Sequence, residues 1–134
     1  MPSYQHEQHF SLGEATAALA KVKPLVEELA VLKQVLDAEG FSFTPPAEPS
    51  AAVKAQTNGH QPPLEAFVRL QQVLYTVMER GILVRDLGQG LLDFPHIRAT
   101  GEEVYLCWRL GEEELAFWHP LGGGFAGREP LATL

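Results

Sequence analysis

Apolar residues recur at intervals of three and four from Leu12 through Ala15, Leu19, Val22, Val26 and Leu29 to Leu32 and Leu36, the spacing that lines one face of an α-helix. Ser11 stands just before that run and Glu14 three residues further on, so the two can satisfy each other's free amides as a capping box, with Phe10 stapled against Ala15. The helix is therefore predicted to begin at Leu12. Pro24 lacks an amide proton and crowds the carbonyl four residues back, which predicts a kink or break around Ala20 to Lys23, and Gly40 closes the segment. A second stripe of Leu64, Phe67, Leu70, Leu74 and Val77 predicts a helix over 64–80, stopped by Gly81. Two apolar stripes each need a partner, and pairing them as an antiparallel hairpin satisfies both as core rather than as a cofactor groove.

Between the helices, residues 41–63 carry Pro45, Pro46, Pro49, Pro62, Pro63 and Gly59 with little apolar content, and read as a mobile loop in which His60 is only a polar loop residue. From Ile82 the pattern changes to short strands over 82–87, 90–94, 104–110 and 115–119, with turn signals at Gly88-Gln89 and around Gly111 to Glu114. The meander thus spans 82–119, and a glycine-rich C-terminal segment follows over 120–134. The expected fold is α+β: one domain over 1–134, an antiparallel helical hairpin packed on a small antiparallel β-meander of three to four strands. One sheet face meets the helices, and the other is expected to be wetter or to meet a partner.

Composition narrows the classes. A chain of 134 residues with 46% apolar and 20% charged residues suits a globular domain, and it contains no apolar run of the roughly 20 residues that cross a bilayer. No membrane association is expected. The formal charge of −7 and the scattered Lys and Arg residues argue against nucleic acid, whose phosphates need a basic cluster. The first residues lack a basic start and an apolar stretch, and the lone Cys107 has no internal disulfide partner, so the cytoplasm is the expected compartment. His6 and His9 precede the helix start and read as part of a mobile end.

Chemistry concentrates between Gly90 and Arg128. The run Gly90-Leu91-Leu92-Asp93-Phe94-Pro95, the run Val104-Tyr105-Leu106-Cys107-Trp108-Arg109-Leu110-Gly111-Glu112, the pair Trp118-His119 and the ending Gly124-Phe125-Ala126-Gly127-Arg128 together resemble a bacterial family catalogued as domain of unknown function 2203. The resemblance extends over nearly the whole chain, including Phe10 to Ala15 and Val84 to Leu87, and departs at Gly122-Gly123, where the family pattern is more polar and carries an acid. It implies a small cytosolic bacterial protein and assigns no activity.

Register arithmetic points to a site. With Gly88-Gln89 as a two-residue turn, Val84 pairs with Asp93 and Asp86 with Leu91, placing both aspartates on one face. In the next hairpin a two- or four-residue loop sets Leu106 across from His119, so that His119 shares a face with Trp108 and Phe117, whereas a three-residue loop sets Cys107 across from it. Two readings follow. In the first, Asp93, Glu112, His119, Arg128 and Trp108 form a ligand-recognition or protein-association surface, with Tyr105, Arg109 and Trp118 available to a protein partner or a homodimer contact. In the second, Asp86, Asp93, Glu112 and His119 hold a divalent metal ion, with Cys107 as a further ligand, and activate water for hydrolysis. The spacing matches no compact metal motif, and a plainer account puts Asp86 in the turn, Glu112 and Glu113 in a solvated loop and His119 on a backbone carbonyl. Mid-strand burial would leave the Cys107 thiol inert, and Gly122 to Gly124 with Arg128 could form an anion nest or simply a flexible connection.

Overall fold

The computed structural model describes residues 3–46, 54–56 and 64–134. Helix α1 runs from Leu12 to Ala38 and starts as expected: Ser11 Oγ accepts the Glu14 amide while Glu14 Oε1 accepts that of Ser11. It ends in a Schellman motif, with the amides of Phe41 and Gly40 donating to Leu36 and Asp37, Gly40 at φ +87°, and Phe41 and Leu36 both buried. Pro24 lies inside this helix without breaking it. The buried ridge of Leu19, Val22, Val26 and Leu29 continues across the proline, so tertiary packing holds the helical path that one lost hydrogen bond would otherwise loosen.

Helix α2, Leu64–Met78, packs antiparallel on α1 through Leu70, Val73, Leu74, Val77 and Met78, and Arg69 pairs with Glu28 across the hairpin. Leu64, expected in the buried stripe, is exposed at the helix start. The stretch expected to be a featureless loop contains a small hairpin instead, β1 (Ser42–Thr44) paired antiparallel with β2 (Lys54–Gln56). Residues 47–53 and 57–63, including His60, lie outside the described residues.

The meander is larger than expected, an antiparallel sheet of five strands in the order β3 (Leu83–Asp86), β4 (Leu91–Ile97), β5 (Glu103–Arg109), β6 (Phe117–Pro120) and β7 (Glu129–Pro130). The two-residue fifth strand comes from the segment read as a glycine-rich tail, where no apolar alternation announces it. One face of the sheet carries Leu92, Phe94, Val104, Leu106, Trp108 and Trp118 and packs on α1 and the residues leading into it: Phe10, just before the helix, meets Phe94 edge-on, and Lys23 Nζ sits 5.7 Å above the Trp108 ring. No helix among the described residues is long and apolar enough to cross a membrane.

The second face, expected to be wetter or to meet a partner, is covered by the chain itself. It carries Asp93, Pro95, Tyr105, Cys107 and His119, all of them buried. Residues 4–10 run over one end of it. Phe10 donates its amide to Pro95 O, Gln5 and His6 donate theirs to the Glu103 carboxylate, and His9 Nε2 lies 2.7 Å from Glu103 Oε2. His6 and His9 are therefore anchored, because Glu103 gathers their segment from nearly a hundred residues away in sequence. Pro95 suits its place: lacking an amide, it offers only a carbonyl where β3 has ended, and Phe10 takes it.

Two outcomes test this packing. Gly90 has φ +62°, and a Cβ there would lie 2.7 Å from Leu110 Cβ and 2.8 Å from Val26 Cγ1, whereas Gly101 has φ +90° with open space around it. Gly90→Ala should therefore cost about 3 kcal/mol in urea unfolding, combining backbone strain with overpacking, and Gly101→Ala only about 1 kcal/mol. Burial of Glu103 opposes its ionisation, but the His9 imidazole and the amides of Gln5 and His6 outweigh it and hold the carboxyl below the ordinary 4.5. The anchor's contribution is thus complete above that ordinary value and lost as pH falls through the lowered one. Hydrogen exchange in acid should release the Gln5 and His6 amides while the amides between β4 and β5 stay protected.

Candidate metal centre

Strand pairing assembles the site. Asp93 lies across from Cys107 and Tyr105 across from His119, and because antiparallel partners share a face, β4, β5 and β6 each deliver polar atoms to the same side of the sheet. His119 is opposite Tyr105, one residue from Leu106 and two from Cys107, the positions expected for shorter loops, because residues 110–116 form a longer connection in which Leu115 is buried. His119 consequently shares its face with Phe117, Tyr105 and Cys107, and Trp108 points to the opposite face.

The first hairpin contains a β-bulge. Leu83 pairs with Asp93 and Val84 with Leu92, then Asp86 with Leu91, so the expected Asp86 pair holds while the expected Val84 pair is shifted by one residue. The shift carries Arg85 onto the face of Asp93. Arg85 Nε donates to Asp93 Oδ2 at 3.0 Å, and its guanidinium lies 5.0 Å from the Tyr105 ring centre. Asp86 instead turns back on the loop, where Oδ1 accepts the Gln89 amide at 2.8 Å.

His119 and Asp93 are 2% and 3% exposed and Cys107 is 0% exposed. His119 Nε2 is 2.9 Å from Asp93 Oδ1, and Nδ1 is 2.7 Å from Pro120 O. The Pro120 carbonyl can only accept, so Nδ1 donates to it, and Nε2 faces a carboxylate that also takes Arg85, a setting that favours the doubly protonated imidazolium. Burial works against that charge, but the hydrogen bond and the negative charge of Asp93 outweigh it and raise His119 above the ordinary imidazole range. Burial, reinforced by the charge of Asp93, pushes the Cys107 thiol far upward, so it stays protonated. One oxygen, one sulfur and one nitrogen of Asp93, Cys107 and His119 all lie within 4.8 Å of one another.

Residues 8–131 match the model of a family described as Uncharacterized conserved protein (DUF2203). The chain belongs to the DUF2203 family. No curated protein and no solved structure matches it. Membership brings no residue roles, so the DUF2203 site is read from its own geometry.

Of the residues singled out in the sequence, Asp93 and His119 meet directly, while Glu112 and Arg128 meet each other. Arg128 Nη2 lies 2.8 and 2.7 Å from the two Glu112 oxygens, and its guanidinium is sandwiched 4.1 Å from the Phe117 ring and 4.7 Å from that of Phe125. Glu112 also accepts the Arg109 amide, and its carbonyl accepts Trp108 Nε1. These contacts engage Glu112 and Arg128 Nη2 in fastening the β5–β6 connection to the C-terminal segment, while Arg128 Nε is buried without a hydrogen-bond partner among the described residues. Tyr105 and Trp118, considered for a partner surface, are buried. Arg85 was missed because a bulge has no local sequence signal strong enough to fix its position.

Asp93 is the joint partner of Arg85 and His119, so Asp93→Ala leaves two cations facing each other across a buried gap. Urea unfolding should show a loss of about 3–5 kcal/mol. Asp86→Ala, which removes a single turn hydrogen bond, should cost about 1 kcal/mol or less.

Proposed function

We propose that this protein is a ligand-binding module whose ligand is a divalent transition-metal ion, held by Asp93 Oδ1, Cys107 Sγ and His119 Nε2. The observation that carries the reading is the convergence of a carboxylate oxygen of Asp93, the Cys107 sulfur and an imidazole nitrogen of His119 within 4.8 Å of one another in a buried site. Zinc accepts carboxylate oxygen, thiolate sulfur and imidazole nitrogen at about 2.0–2.3 Å, which corresponds to ligand separations of about 3.3–3.8 Å in a tetrahedron. Asp93 Oδ1 and His119 Nε2, 2.9 Å apart, would draw apart by about half an ångström to admit it.

The surroundings favour the same ion. The Pro120 carbonyl holds the proton on Nδ1 and so reserves Nε2 for a ligand, the usual outer support of a metal-bound histidine, while Arg85 fixes the far oxygen of Asp93. A dication would replace the Nε2 proton and the thiol proton together, leaving the buried charge unchanged. The hydrolase reading is less well supported, because turnover needs a coordination position that substrate can reach and all three donors are shielded from solvent. The set weighed in the sequence narrows accordingly: Asp93, His119 and Cys107, the further ligand considered there, stay, and Glu112 and Asp86, both engaged elsewhere, leave.

Titration with Co2+ and Zn2+ tests the proposal. The wild-type chain is expected to bind one equivalent, with Co2+ showing a thiolate charge-transfer band and tetrahedral visible bands, and calorimetry in different buffers should register about two protons released per ion. Cys107→Ser should abolish the charge-transfer band, and His119→Ala and Asp93→Ala should each weaken binding at least about 10-fold. A wild-type protein that takes up neither ion, or whose cobalt spectrum lacks the thiolate band, would sink the proposal.

A further inference from the structure

We propose that residues 4–10 are a strap that closes the Asp93, Cys107 and His119 site, with the Tyr105 ring as the plug they hold in place. This inference builds on the metal-binding reading, since it concerns access to the same three side chains. Tyr105 lies across from His119 in the strand register with ring centres 5.4 Å apart, so its ring borders the site directly. The strap holds that ring from outside: His6 Nε2 is 2.5 Å from the Tyr105 hydroxyl, and the two rings meet edge-on at 5.3 Å. Glu103, two residues along the same strand and on the same face, fastens the strap by accepting the Gln5 and His6 amides and the His9 ring.

The two flanks of the site are fastened differently. On the far flank Arg128 is clamped between Phe117 and Phe125 and paired through both Glu112 oxygens. The strap has one buried apolar anchor, Phe10 at its end, while Tyr4, Gln5, Glu7 and Gln8 are exposed and the rest of its attachment is polar. Segments with few buried apolar contacts open at low free energy without global unfolding. Opening therefore takes place on the strap side, and losing the Glu103 anchor frees Tyr105 to swing away from His119.

Cys107 is the sole cysteine of the chain, so its labelling reports on this site alone and needs no metal. The full-length protein is treated with N-ethylmaleimide under native conditions, Zn2+ uptake is followed in parallel by stopped flow, and urea unfolding supplies the global stability of each variant. Glu103→Ala is expected to raise the labelling rate by about 10-fold or more beyond what its change in global stability explains, and to speed Zn2+ uptake similarly while equilibrium affinity stays within about 3-fold. Tyr105→Phe, which cuts only the hydroxyl link, is expected to raise the labelling rate several-fold and decides the matter alone should Glu103→Ala not fold. Labelling that is unchanged in these variants, or that rises only in step with global unfolding, overturns the strap. Faster labelling in a protein that takes up no Zn2+ keeps the strap and discards the metal ion.

Discussion

A carboxylate in the middle of a sheet, shielded from water, must be neutralised where it stands, and Asp93 imposes that requirement on everything around it. Its two oxygens divide the task. Oδ2 takes Arg85, which reaches it because β3 carries a bulge, and Oδ1 takes His119, which reaches it because the β5–β6 connection sets the register at Tyr105. The bulge and the long connection look like irregularities when each hairpin is considered alone. Considered from Asp93 they are the means by which two cations from different strands meet one anion. A buried pair of this kind adds little net stability over an apolar core, yet breaking it is costly, so it specifies a register more than it strengthens the fold.

Local signals in the sequence were enough for the helices and too weak for the site. The Ser11 and Glu14 capping box and the Gly40 terminus depend on neighbours within a few residues, and both formed as read. Pro24 shows where a local rule yields: the proline removes one hydrogen bond, but the apolar ridge on either side is fixed by packing against the second helix and the sheet. The sheet is the reverse case. A one-residue slip exchanges Val84 for Leu83 opposite Asp93 and changes which charged side chain shares its face, and nothing within the hairpin's own sequence sets that slip.

The same limit governed the histidines. His6 and His9 sit in a polar stretch before the helix cap, which by composition alone resembles a loose end. Their partners, Tyr105 and Glu103, follow more than ninety residues later, and only the closed sheet brings the two regions together. Cys107 was legible as buried and inert from its apolar neighbours, but its closeness to Asp93 and His119 depended on two registers being known at once. Glu112 and Arg128 were recognisable as functional residue types, and their use as fasteners followed from the turn that pairs them.

A site that excludes water faces a conflict between holding an ion and admitting one. Strong holding calls for donors buried among preorganised partners, and admission calls for one boundary that can move without disturbing those partners. Asp93, Cys107 and His119 stand on three neighbouring strands, whose ladder hydrogen bonds make concerted motion expensive, so the moving boundary has to come from outside the sheet. The N-terminal segment meets that condition: its bonds to Glu103 and Tyr105 can open while β4, β5 and β6 keep their register. The division of labour follows from the topology, because the central strands of a meander supply rigidity and a segment crossing one end of their second face supplies the give.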